Sequence, residues 1–89
     1  MKIELNKPFS GNSPADVGDV RVVKRALNLL GYYAPFEKVG MTTIPDAEVF
    51  GALRDFQADQ GLPVTGIAKP DDEVITELNK EISKKLRGE

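Results

Sequence analysis

Eighty-nine residues, 40% hydrophobic and 29% charged, leave room for one small globular domain. The chain contains no Cys, His or Trp, so it cannot build a Ser-His-Asp triad, a Cys-His pair or the common zinc sites, and it has no side chain that ordinarily titrates near neutrality. A net charge of −2 argues against electrostatically driven nucleic-acid binding, and what is left is a carboxylate-only hydrolase or a protein that binds without reacting.

Residues 1–18 read as a leader or linker. Lys2-Ile3-Glu4-Leu5 alternates polar and apolar, which suits a short strand or, since a lone strand is marginal, a tail laid against the domain. Lys7 to Gly18 is rich in Pro, Gly, Ser and Asn, the composition of a loop. The start lacks the apolar run of about 7–15 residues that marks a signal peptide. Nothing in the chain approaches the ~20 apolar residues of a membrane span.

A domain is expected over 19–86, with a short tail at 87–89. Val20, Val23, Leu27 and Leu30 fall on one helical stripe, with Arg21, Lys24, Arg25 and Asn28 expected to face away. Asp19 is placed to cap this first helix and Gly31 to end it. A second stripe, Val49/Phe50, Leu53 and Phe56, ends at Gln60-Gly61. A third, Val74/Ile75, Leu78, Ile82 and Leu86, ends at Arg87-Gly88.

Pro45-Asp46-Ala47-Glu48-Val49 recurs twenty-five residues later as Pro70-Asp71-Asp72-Glu73-Val74. Proline suits a first helical position and acids suit the positive end of the helix dipole. Two helices started by the same physics therefore explain the echo more simply than an old duplication. The connections, Gly31–Ile44 and Gly61–Lys69, are too long for a helix-turn-helix reader, and both carry apolar residues that predict ordered, packed loops. The fold class expected is all-α, a compact three-helix bundle with two long ordered loops.

Leu27-Asn28-Leu29-Leu30-Gly31-Tyr32-Tyr33 resembles the L-x-x-L-G-Y-Y signature of the peptidoglycan-binding domain family, a three-helix module attached to many cell-wall hydrolases. Phe56-Gln57 stands where that family has a paired Phe-Gln at the end of its second helix. Gly61-Leu62-Pro63-Val64-Thr65-Gly66 is similar to its connector of Gly-Leu, two residues, then Asp or Thr and Gly. Leu78 matches the leucine of its last helix. The resemblance runs from about Asp19 to Leu78. The chain departs from the family pattern at Lys24, where Gln is usual, and at Val49 and Val74, where Thr is favoured near the helix starts. Its first loop is also long.

The resemblance implies a non-catalytic cell-wall binding module that anchors or targets an attached or partner activity. Its ligand would be the glycan or stem peptide of peptidoglycan, or a cell-wall-associated protein, and its place the cell envelope or periplasm. No cofactor, metal, nucleic acid or membrane span is implied. The same scaffold also suits a protein–protein module of a phage-like or secretion-related assembly. The ligand would lie in a shallow groove beside the two loops, and the candidate contacts are Tyr32, Tyr33, Arg54, Gln57 and Thr65.

Each candidate has a plainer structural role beside the functional one. The two tyrosines follow a helix-ending glycine, so their rings are expected to diverge: both plug the loop, or one stays at the rim as a rigid aromatic platform, Tyr33 being favoured. Phe36 is a third loop aromatic. Gln57, one step past the core residue Phe56, reaches the edge of the core, where its amide suits bracing a loop backbone or recognising an acetamido or peptide group. Arg21, Lys24 and Arg25 read as a solvated basic face or a surface for carboxylates. Asp55, Asp59, Asp71, Asp72 and Glu73 read as caps and solvated acids, because a domain this small has little volume for a glycosidase cleft. Lys80, Lys84, Lys85 and Arg87 suit the negative end of the last helix.

Overall fold

A computed structural model describes residues 2–11, 14–34 and 42–88. It contains three helices, α1 (Val17–Leu29), α2 (Ala47–Asp59) and α3 (Glu73–Leu86), and no strand among the described residues. Phe36 and Val39 lie outside those residues.

All three helices start on an aspartate whose side chain accepts the amide of the third helical residue: Asp16 from Asp19, Asp46 from Val49 and Asp72 from Ile75. The cap of α1 is thus Asp16 rather than Asp19. Asp19 sits one turn further in, buried, and its carboxylate accepts the backbone N–H groups of Asn6 and Lys7 at 2.9–3.0 Å. Neither proline occupies a first helical position. Pro45 precedes its cap by one residue and Pro70 by two, so the echoed sequences slip by one at their caps. The aspartate does the capping, and proline only sets the chain's approach to it.

Glycine follows each helix, as the sequence leads one to expect. At α1 and α2 the two residues after the helix cap close a six-to-one and a five-to-two bond, with Tyr32 donating to the Leu27 carbonyl at 2.8 Å and Leu62 to that of Gln57 at 2.9 Å.

α1 packs against both α2 and α3. The predicted stripes supply the core, with Val20, Val23, Leu27, Val49, Leu53, Phe56, Val74, Leu78 and Ile82 all buried. Two positions depart from expectation. Leu86, the last residue of α3, is 58% exposed. Lys24, expected to face water, is fully buried.

The leader contributes more than a covering. Ile3, Leu5 and Phe9 are all buried in the same core. Asn79 receives the Ile3 amide at 2.6 Å and donates to the Ile3 carbonyl at 3.0 Å. Phe9 exchanges backbone bonds with Ala68 in an isolated antiparallel bridge, and its ring stacks on Phe50 with centroids 4.9 Å apart. Burying side chains of this size contributes about 1.5–3 kcal/mol each.

Candidate functional site

The connector between α2 and α3 is held by one side chain. Gln57 is 3% exposed on the last turn of α2. Its Oε1 accepts the amides of Thr65 and Gly66 at 3.0 and 2.9 Å. Its Nε2 donates to the Thr65 hydroxyl at 3.1 Å and the Ile67 carbonyl at 3.2 Å. The amide group is thereby fully engaged, and residues 65–67 are fixed against α2. This is the loop-bracing role that its position past Phe56 predicts.

The braced connector has a groove on either side. One, of about 370 Å³, runs between the connector and the start of α3; Leu62, Pro63, Ile67 and Val74 give it apolar walls, and Lys69, Asp72 and Glu73 charge its rim. The other, of about 350 Å³, is bounded by Ser10 and Gly11 of the leader, by Ala47, Phe50 and Arg54 of α2, and by Thr65–Ile67. Thr65 and Ile67 border both grooves.

The two tyrosines do diverge, but toward α2 and not toward a ligand surface. Tyr33 is 6% exposed, whereas Tyr32 is only partly buried, so the accessible ring is Tyr32 and not Tyr33. Tyr32 meets Phe56 edge-on with centroids 5.5 Å apart and donates its hydroxyl to Asp59, the last residue of α2, at 2.6 Å. Tyr33 donates to Asp46, the cap at the other end of α2, at 2.9 Å. The two adjacent residues therefore reach opposite ends of one helix. Each hydroxyl is pushed up to about 12: that of Tyr32 by its bond to Asp59 and then by burial, that of Tyr33 by burial and then by its bond to Asp46.

Tyr33 leads to the buried lysine. Lys24 Nζ lies 3.2 Å from Asp46 Oδ2 and 5.6 Å from the Tyr33 ring centroid. It also donates to the Thr42 hydroxyl at 3.0 Å and to the Ile44 carbonyl. Burial works against the Asp46 charge, but the Val49 amide, the Tyr33 hydroxyl and the Lys24 ammonium outweigh it and hold the carboxyl below its ordinary value. A buried ammonium needs such a set of partners, and here they lie on the strip of chain that leads into α2. Lys24 thus leaves the predicted basic face, on which Arg21 and Arg25 are exposed.

Of the five candidate residues, Arg54 and Thr65 stand exposed beside the second groove, and Gln57 lies beneath the connector as its brace. Tyr32 and Tyr33 line neither groove. Both grooves follow the 61–69 connector; residues 35–41 of the first loop lie outside the described chain. Sequence reasoning missed Ser10, Gly11 and Phe50. The signal available for Phe50 was its place beside the buried stripe of α2; for the leader residues there was none. The acids are largely spent on structure: Asp72 caps α3 and accepts the Lys69 amide at 2.8 Å, and Asp59 holds Tyr32. Among the described residues, no group of acidic side chains is placed to hold a metal ion, and no helix is long and apolar enough to cross a membrane.

The described residues thus form a small all-helical domain with open surface grooves along a braced connector. The chain belongs to the peptidoglycan binding domain family, whose model matches residues 16–71. The match takes in α1, α2 and the connector and stops just before α3, which nonetheless closes the core. No curated protein and no solved structure matches the chain at a significant level.

Proposed function

We propose that this chain is a non-catalytic peptidoglycan-binding module that anchors or targets an activity carried by an attached domain or a partner protein. The observation that carries the reading is the family match over 16–71, which includes the whole connector that the two grooves share. Thr65 and Arg54 are the exposed contacts in this reading. Gln57 contributes by fixing the connector, and Tyr32 and Tyr33 by fixing the two ends of α2.

The grooves are shallow and the contacts few, so binding is weak, with dissociation constants between about 1 μM and 1 mM. Purified insoluble peptidoglycan tests this directly. The domain is expected to sediment with the polymer at low salt and to be released by soluble fragments. If it stays in the supernatant, wall binding fails and the protein–protein use of the same scaffold takes its place.

A further inference from the structure

The two grooves differ in electrostatics. Lys69 shares the rim of the first with Asp72 and Glu73, so that groove carries no excess positive charge. Arg54 is the single charged residue lining the second. It has no ion pair or hydrogen bond with any described residue, and its side chain runs close to two glycines. A Cβ on Gly66 would lie 3.2 Å from one guanidinium nitrogen of Arg54 and 3.3 Å from its Cγ, and one on Gly51 would lie 3.8 Å from the other terminal nitrogen. The side chain is therefore laid across two glycines, one on its own helix and one at φ +70° on the connector that Gln57 pins.

An arginine whose stem packs on backbone while its fork pairs with no described residue can meet a planar anion with part of the cost of fixing the side chain already met. Beside it the ring of Phe50, backed by Phe9, offers an apolar wall. Thr65 also lines this groove, its hydroxyl engaged by Gln57 and Ile67.

We propose that the second groove is a carboxylate subsite, in which Arg54 takes the free carboxylate of a short peptide in bidentate fashion and the Phe50 ring packs against the adjoining small side chain. This inference rests on the wall-binding reading for the source of the peptide, and it assigns this groove to the stem peptide rather than to the neutral glycan. A neutral N-acetylhexosamine chain gives a guanidinium no counter-charge, whereas a peptide carboxylate matches its two parallel N–H donors.

Amide spectra of the labelled protein, titrated with N-acetyl-alanyl-alanine, test the assignment. The free acid is expected to shift the amides of Gly11, Phe50 and Gly66 with a dissociation constant of about 1 mM. Its C-terminal amide and the Arg54→Gln variant should each bind at least about tenfold more weakly. The variant should keep a dispersed spectrum, since Arg54 is exposed, and Arg54→Lys, which keeps the charge without the fork, should fall between. Equal binding of acid and amide, or undiminished binding by Arg54→Gln, overturns the proposal. Stronger shifts of the same resonances by inorganic phosphate overturn it in favour of a phosphodiester polymer, and shifts by an N-acetylglucosamine tetramer overturn it in favour of glycan. Sedimentation with insoluble peptidoglycan separates the two levels. Retention without a peptide response overturns the carboxylate subsite alone. A peptide response without retention supports the subsite and overturns the wall-binding reading.

Discussion

Gln57 and Lys24 are both polar residues carried into the interior, and only one of them was legible. Gln57 follows Phe56 at the end of a clear apolar stripe, so its place at the core edge comes from helical rotation alone, and an amide there has an obvious use. Lys24, four residues after Val20 and three before Leu27, borders the apolar stripe but was expected on the face that meets water. Its residue type argued for solvent, because lysine is seldom fully buried, and the groups that overturn this lie on Thr42, Ile44 and Asp46, far along the chain. For Gln57 position was enough, whereas the partnership that buries Lys24 was not readable. The Gln57 bonds make a prediction that distinguishes its two ends. Gln57→Glu keeps an acceptor for the Thr65 and Gly66 amides but sets a carboxylate oxygen against the Ile67 carbonyl in place of a donor. The expected loss is about 1–3 kcal/mol in urea unfolding at neutral pH, shrinking in acid as the new carboxyl gains a proton. A variant as stable as the parent at neutral pH would show that the donor end carries no weight.

At the scale of the helices, where each one ends was plain in the sequence and where each one starts was not. Three glycines mark the ends, and each sits directly after its helix cap. The starts of α1 and α3 were obscured because more than one aspartate lies close to each, and only the backbone geometry selects Asp16 over Asp19 and Asp72 over Asp71. Two glycines, one inside α2 and one just past its end, show how the same substitution acts with opposite sign. Gly61, just past the helix, has φ +72° and open space around a would-be Cβ. Gly61→Ala is therefore expected to lower stability by about 1 kcal/mol through backbone strain alone. Gly51 is inside the helix, and a Cβ there would make only an ordinary 3.8 Å contact with Arg54. Gly51→Ala is expected to raise stability by about 0.5–1 kcal/mol by removing backbone freedom from the unfolded chain. Thermal midpoints that move in the same direction for both variants would contradict this account of α2.

At the scale of the whole molecule, the pairing of segments distant in sequence is what local periodicity does not carry. The leader's union with Ala68 and Asn79 is one such case. The use of Tyr32 and Tyr33 to clamp both ends of α2 is the other, and it has a consequence in alkali. These are the two tyrosines of the chain, so their titration has no other source. Each ionises near 10 when free, and in the folded protein each is pushed up to about 12. The fold binds both phenolic protons more tightly than the unfolded chain does. The stability this contributes is fully present below pH 10 and is lost as pH rises toward 12, because the unfolded chain gives up protons that the folded one retains. Tyrosinate absorbance should therefore stay low through pH 10 and then rise together with the loss of helical circular dichroism. With Tyr32→Phe, the single remaining chromophore should still rise with unfolding, since Tyr33 is the more deeply buried of the two and holds the cap of α2. A tyrosinate signal complete near pH 10 in a protein that remains helical would mean that the hydroxyls are free of Asp46 and Asp59, and that the tyrosines do not clamp α2.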